Sequence, residues 1–129
     1  MDAAAHRAVI ALPRPGEPSA VTIEHVDPGQ RVRVSGRIDA HTVADVRMAL
    51  REAIDHGDGP LYVEAAGVEM GDTTGLGALL GAHRRSLRSS RSLVLVDVPQ
   101  ALDRLLTATR LDRVLRTEVA RPSAHAASA

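Results

Sequence analysis

Between Val21 and Val98 the chain changes its hydrophobic period in a fixed order, and that order limits the folds open to it. Val21–Val26 and Arg31–Val34 are short β-rich runs separated by the turn signal Asp27-Pro28-Gly29, so they form a hairpin. In the second run Val32 and Val34 face one way while Arg31 and Arg33 face the other, the period of a half-buried strand. Thr42–His56 then takes the helical period, with Val43, Val46, Leu50, Ala53 and Ile54 on one face. Thr42 followed by Asp45 has the spacing of a capping box, and Gly57-Asp58-Gly59-Pro60 ends the helix. Leu61–Ala65 reads as a strand and Thr74–Ser89 as a helix whose inner face carries Leu76, Leu79, Leu80, His83 and Leu87. Leu93–Val98 is apolar without alternation, the mark of a parallel strand covered on both faces. Pro99 suits the first turn of a third helix that buries Leu102, Leu105 and Leu106, and Val114–Val119 forms a last strand or short helix. The order β-β-α-β-α-β-α predicts an α/β fold: a mixed central sheet, mostly parallel with an antiparallel N-terminal hairpin, packed against three to four helices.

With 129 residues the chain fits one domain. Residues 1–20, with Pro13, Pro15, Gly16 and Pro18, read as a flexible lead-in, although part of Arg7–Leu12 has the composition of an edge strand. The domain is expected over 21–119, and 120–129, rich in Ala and Ser, as a loose tail. There is no cysteine, which excludes disulfides and thiolate metal sites. The six histidines are scattered without ligand spacing, so neither a metal nor a cofactor is expected. Formal net charge is zero and Tyr62 is the only aromatic residue, which argues against direct nucleic-acid binding. No apolar run reaches the length of a membrane span, and Ala8–Leu12 is too short for a signal-peptide core, so a cytoplasmic location is expected. No Gly-x-Ser-x-Gly elbow and no Walker-type phosphate loop occur, so no enzyme activity is expected. All 16 basic residues are Arg; Arg84, Arg85, Arg88 and Arg91 form a stripe that fits a solvated helix face better than an anion site or a contact for an acidic partner.

The unusual stretch is Val68-Glu69-Met70-Gly71-Asp72-Thr73-Thr74-Gly75-Leu76-Gly77, between a strand and a helix N-terminus. Backbone N–H groups are free there, the helix dipole is positive, and Asp72, Thr73 and Thr74 are all capping residues. Read locally, Asp-Thr-Thr is a helix cap; an attached phosphate would also meet N–H donors there. Gly75, Gly77 and Gly81 along the helix suggest close approach of another backbone.

The segment Gly36-Arg37-Ile38-Asp39-Ala40-His41-Thr42 resembles the G-x-L-D-x-x-T segment of the STAS family (sulphate transporter and anti-sigma factor antagonist). Asp72-Thr73-Thr74-Gly75-Leu76-Gly77-Ala78-Leu79-Leu80 resembles its D-S-S-G-L-G-x-L-L signature, and Ala101–Leu106 with Leu111-Asp112 resembles its final helix and G-L-D end. The resemblance implies a STAS-like fold and the role of a stand-alone anti-sigma factor antagonist. Such a protein binds an anti-sigma factor that is also a serine/threonine kinase, frees the sigma factor, is switched off by phosphorylation, and is restored by a phosphatase. The phosphorylated hydroxyl maps to Thr74, with Thr73 as second choice. The partner surface maps to Asp39, His41, Asp72, Thr73, Thr74, Gly75, Leu76 and Gly77, on a monomer or weak homodimer. Asp39 fits a partner contact and a cap for the helix opening at Thr42 equally well; Asp72 fits a cap, a group orienting the hydroxyl and a kinase contact. Phosphorylation is expected to act locally, the helix N-terminus accepting the charge with little backbone change. The chain departs from the pattern in its two threonines, in Gly71, which suggests a more mobile loop, in Glu64, and in Arg110, where a glycine is usual. The alternatives are a STAS subunit of a lipid-transport ABC complex, a scaffold unit of a stress-signalling assembly, and a nucleotide-binding protein.

Overall fold

A computed structural model describes Arg7–Ala11, by its backbone, and residues 20–120. Six strands, β1 (Arg7–Ala11), β2 (Val21–Asp27), β3 (Arg31–Ile38), β4 (Pro60–Met70), β5 (Ser92–Val96) and β6 (Arg116–Glu118), form one sheet in sequential order. The pairs β1/β2 and β2/β3 are antiparallel; β3/β4, β4/β5 and β5/β6 are parallel. The helices are α1 (Val43–Asp55), α2 (Thr74–Arg88) and α3 (Gln100–Ala108), and a 3-10 turn at Leu111–Arg113 precedes β6. The expected hairpin is β2/β3. Within the segment expected as a flexible lead-in, Arg7–Ala11 pairs as an edge strand; residues 1–6 and 12–19, Leu12 among them, and the tail from residue 121 on lie outside the described residues.

The sequential strand order decides where the helices lie. Parallel crossovers are right-handed, so connections that always step the same way across the sheet leave their helices on the same face. All three helices accordingly share one core. Val46, Leu50 and Ile54 of α1, Leu76, Leu79 and Ala82 of α2, and Leu102 and Leu106 of α3 pack on Ile23, Val32, Val34, Leu61, Val63, Leu93 and Leu95. Among the described residues, helices therefore cover one side of the sheet only. Val94 and Val96 of β5 are as buried as Leu93 and Leu95, yet they lie outside that core. The face away from the helices carries charge: Glu64 accepts hydrogen bonds from Arg31 (2.7 Å) and Arg33 (2.8 Å), and Arg33 also reaches Glu24 (2.8 Å). Tyr62 lies on this face under the Arg31 guanidinium, 5.0 Å from its ring centre, so the core is wholly aliphatic.

Several local expectations are corrected. Strand β4 continues past Ala65 to Met70, because one extra residue between Glu64 and Gly67 is absorbed as a bulge opposite Arg33–Ser35. The Thr42/Asp45 capping box does not form: Thr42 is buried, and its hydroxyl donates to the Arg37 carbonyl (2.8 Å) and accepts from the Asp39 amide (3.0 Å), which locks the β3–α1 turn. On α2 the buried face is Leu76, Ala78, Leu79, Ala82 and Ser86; Leu80 and His83 are half-buried and Leu87 is exposed. Among the described residues the glycine row meets no second backbone: Gly81 has open space beside it and Gly77 faces only the Arg47 side chain. Arg110 keeps the turn that glycine usually makes by adopting left-handed backbone angles (φ 63°).

Arg91 is the largest correction. It belongs to no solvated stripe: the chain leaves α2 through Ser89 and Ser90, and the Arg91 side chain turns inward with 4% of its surface exposed. Its guanidinium donates to six carbonyls, those of Gly29, Ala53, Ile54, Asp58, Gly59 and Pro60, at 2.5–3.4 Å. Burial pulls its pKa down and Asp58 acts against that shift; an arginine stays charged regardless. Arg91→Ala should cost about 3 kcal/mol or more in denaturant unfolding, since each buried acceptor left without a donor costs roughly 1–3 kcal/mol. Arg91→Lys should recover only part of it, because one ammonium cannot reach six acceptors. Arg110→Gly should stabilise the fold by about 1 kcal/mol, the cost of left-handed angles in a residue with a Cβ, read as a raised midpoint in the same unfolding experiment.

Candidate functional site

The last register pair of β3 and β4, Ile38 beside Met70, brings two loops together at the carboxyl end of the sheet. The Gly71 amide donates to the Ile38 carbonyl (2.8 Å), which sets Asp39 next to Gly71. In an α/β sheet this end, outside the carboxyl ends of parallel strands, is where sites are built.

Asp72 joins the two loops. Its Oδ2 accepts the Ala40 amide of the β3–α1 loop (3.2 Å). Its Oδ1 accepts the Thr74 amide (2.9 Å) and the Thr74 hydroxyl (2.5 Å). Asp72 thus supplies the capping interaction at the start of α2, while Thr73, at the N-cap position, makes no side-chain capping bond. The Thr74 hydroxyl, followed by its amide, is the main cause holding the Asp72 carboxyl below its ordinary pKa; the Ala40 amide adds to the effect, and burial and Asp39 oppose it.

Asp39 is 7% exposed and turned inward. Its Oδ1 accepts the His41 amide (2.8 Å), its Oδ2 faces Arg37 Nε at 3.4 Å, and its carbonyl accepts from Thr42 and Val43. It shapes the turn that leads into α1. Arg37 escaped the sequence reading, although it lies inside the Gly36–Thr42 segment. It spans Asp39 and Glu69 (3.5 Å), and a Cβ on Gly71 would lie 2.8 Å from its Nε. A side chain on Gly71 would therefore have to displace the Arg37 guanidinium. Gly75 has the same character: a Cβ there would lie 2.6 Å from Met70 Cε and 3.0 Å from Ile38 Cγ2.

Of the candidate residues, the fold gathers Asp39, His41, Asp72, Thr73 and Thr74 at one corner. His41, Asp72 and Thr73 are exposed and Thr74 is half-buried. Gly75 and Leu76 are buried beneath them, and Gly77, exposed, lies one turn further along α2. The corner offers a hydroxyl already bonded to a carboxylate, at the start of a helix whose first amides are partly used. No group of three or more potential metal ligands occurs among the described residues, and no helix there is long and apolar enough to cross a membrane.

Because the Asp72 pKa is lowered by folding, the corner is tightened above roughly pH 4, near an ordinary aspartate's pKa, and loosens as pH falls through the lowered midpoint. Thr74→Val removes the hydroxyl donor and keeps the amide. The Asp72 midpoint, followed by carboxyl carbon NMR, should move up towards the ordinary value without reaching it. An unchanged midpoint would mean that the hydroxyl bond is not formed in solution.

Comparison with known proteins agrees with this architecture. Residues 21–117 match the family model described as Mlab, STAS domain. An anti-sigma-B factor antagonist of Staphylococcus epidermidis is 30% identical over 90 residues, covering 70% of this chain and 82% of that protein. The anti-sigma-B factor antagonist of Staphylococcus aureus (strain NCTC 8325 / PS 47) is 29% identical over 80 residues, covering 62% and 74%. Among solved structures, an anti-sigma factor antagonist from Mycobacterium paratuberculosis superposes with a TM-score of 0.64 at 21% identity, covering 92% of this chain and 96% of that one. The anti-sigma factor antagonist SpoIIAA in its unphosphorylated form gives 0.62 at 21% identity, covering 79% and 89%. Fold, strand order and sequence agree in this: the chain belongs to the STAS-domain family.

Proposed function

We propose that the chain is an anti-sigma factor antagonist whose Asp72/Thr74 corner docks on an anti-sigma factor with kinase activity, and that phosphorylation of Thr74 ends the interaction until a phosphatase reverses it. The observation that carries this reading is the pair of bonds by which Asp72 holds the Thr74 hydroxyl with one oxygen and the Ala40 amide with the other. Exposed His41, Asp72, Thr73 and Gly77, with half-buried Thr74, form the contact surface. Asp39 positions it from within, and Gly75 and Leu76 support it from below.

The same pair of bonds gives the switch its physics. A phosphoryl group on Thr74 replaces a hydroxyl donor by a group carrying roughly −1.5 to −2 charges at neutral pH. That charge stands against the Asp72 carboxylate, which already takes the Thr74 amide. The helix start is therefore less welcoming to phosphate than an empty N-terminus would be. Asp72 withdraws, the Ala40 amide is released, and the two loops part. The added charge and the changed loops both oppose docking. A loss of about 3–4 kcal/mol weakens binding several-hundredfold.

The test uses wild type, Thr74→Ala and Thr74→Glu as paired baits in source-cell lysate, followed by binding curves with the captured partner. Wild type and Thr74→Ala should capture an ATPase-fold kinase, and Thr74→Glu should bind it several-hundredfold more weakly. With ATP and magnesium, the kinase should add one phosphoryl group to wild type and none to Thr74→Ala. Equal binding of a transporter ATPase by all three forms would replace the switch with docking that needs no covalent change.

A further inference from the structure

Helices α1 and α2 run side by side in the same direction: Arg47 lies over Gly77 near their starts, and Asp55 pairs with Arg85 near their ends. Between them is a groove of about 230 Å³. Its walls carry Arg47 and Arg51 from α1 and Arg85 and Arg88 from α2; its floor is formed by Ala78, Gly81 and Ala82, and no carboxylate lines it. Asp55, at its edge, is held by Arg85 through two hydrogen bonds of 3.0 and 2.8 Å. That pair fixes the Arg85 guanidinium; Arg51 also acts on the Asp55 carboxylate, which leaves Arg47 and Arg88 without a counter-charge in the groove. Arg47 and Arg88 form no hydrogen bond or ion pair among the described residues.

We propose that this groove is a binding site for a small phosphate-bearing anion; it adjoins the Thr74 corner where Arg47 lies over Gly77, and it does not rest on the function proposed for that corner. The chain carries no net charge, so this concentration of arginine is local and not a consequence of general basicity. Guanidinium forks match phosphate oxygens in pairs, and a tetrahedral phosphate directs its oxygens towards two facing walls, whereas a carboxylate holds both of its oxygens in one plane. Arg47 and Arg51 are about one turn apart, as are Arg85 and Arg88, so each wall presents two forks about 4.5–6 Å apart along the helix axis. The floor is small-residued, and Gly81 leaves open space where a side chain would fill the groove. The volume lies below the roughly 300–1,000 Å³ typical of pockets for larger organic ligands and suits a phosphate or diphosphate group. Two like-charged walls held together without an anion repel one another, and a bound phosphate removes that repulsion.

The experiment is an amide-resolved NMR titration of the full chain in low-salt chloride buffer, with inorganic phosphate, inorganic pyrophosphate and glycerol 3-phosphate as separate probes. Saturable shifts centred on Ala78, Gly81 and Ala82 are expected, tightest for pyrophosphate if the group is free and for glycerol 3-phosphate if it is a monoester head. Arg47→Ala and Arg88→Ala, which remove no internal bond, should each weaken binding about tenfold, or about 1.4 kcal/mol, with unchanged thermal unfolding. Arg84→Ala and Arg104→Ala, outside the groove, should leave binding as it is. Shifts that fail to saturate, or that all four variants reduce alike, would overturn the proposal. So would a hexaglutamate peptide that binds the groove more tightly than any of the phosphates, which would make it a surface for an acidic protein segment.

Discussion

A single guanidinium ties the amino-end side of the sheet together. The six carbonyls around Arg91 come from three places distant in sequence: the β2–β3 turn at Gly29, the last turn of α1 at Ala53 and Ile54, and the α1–β4 connection at Asp58, Gly59 and Pro60. The last carbonyls of a helix have no partner within it and carry the negative end of its dipole. Arg91 satisfies those of α1 with a buried charge, and the carbonyls in turn replace the water that the charge has lost. Neither side is tolerable without the other. The position of α1 against the sheet, and with it the point where β4 begins, follows from this one cluster.

From that fixed end the constraint passes up the strands. Strand β4 begins at Pro60, among the Arg91 acceptors, and its bulge at Glu64–Gly67 advances the chain by one residue against β3. Without it, Met70 would not end beside Ile38, and the residues after it would reach the β3–α1 loop out of step. Met70 then packs on Gly75, and Asp72 meets Ala40. The Asp72/Thr74 corner is thus the far end of a register set elsewhere. Beside its glycines stand the ends of two long side chains, Arg37 at Gly71 and Met70 at Gly75, and neither glycine has a positive φ.

The alternation of strand and helix periods was fully legible, because burial on one face writes itself into spacing: Val46, Leu50 and Ile54 on α1, Val32 and Val34 on β3. The hydroxyl at the start of α2 was legible through the resemblance of Asp72–Leu80 to a known signature. What spacing could not show was the destination of single polar side chains. Arg91 continues the i, i+3 rhythm of Arg85 and Arg88, and nothing in the sequence marks that the helix has ended and that Ser90 has turned the chain with a left-handed φ of 58°. Thr42 and Asp45 have capping-box spacing, but the Thr42 hydroxyl finds better use locking the turn behind it. Asp39 and Asp72 look equivalent in sequence, each opening a loop at a strand end. Only the register of β3 against β4 turns the first inward and leaves the second outside.

A net charge of zero conceals how unevenly the charge is placed. On the open face of the sheet Glu24, Arg31, Arg33 and Glu64 neutralise one another within hydrogen-bonding distance. At the carboxyl end of the strands the exposed carboxylates Glu69 and Asp72 face the single cation Arg37 and a hydroxyl, so the corner is poised on the acidic side. The α1/α2 groove holds the opposite excess, four guanidiniums in its lining with Asp55 only at its edge. Charges within a few ångströms of one another act strongly, while those beyond roughly 8–10 Å are screened by physiological salt. A partner therefore meets each of these regions separately and never the neutral sum. In the switch proposed above, a phosphate added at Thr74 meets the Asp72 carboxylate first, before any of the groove arginines.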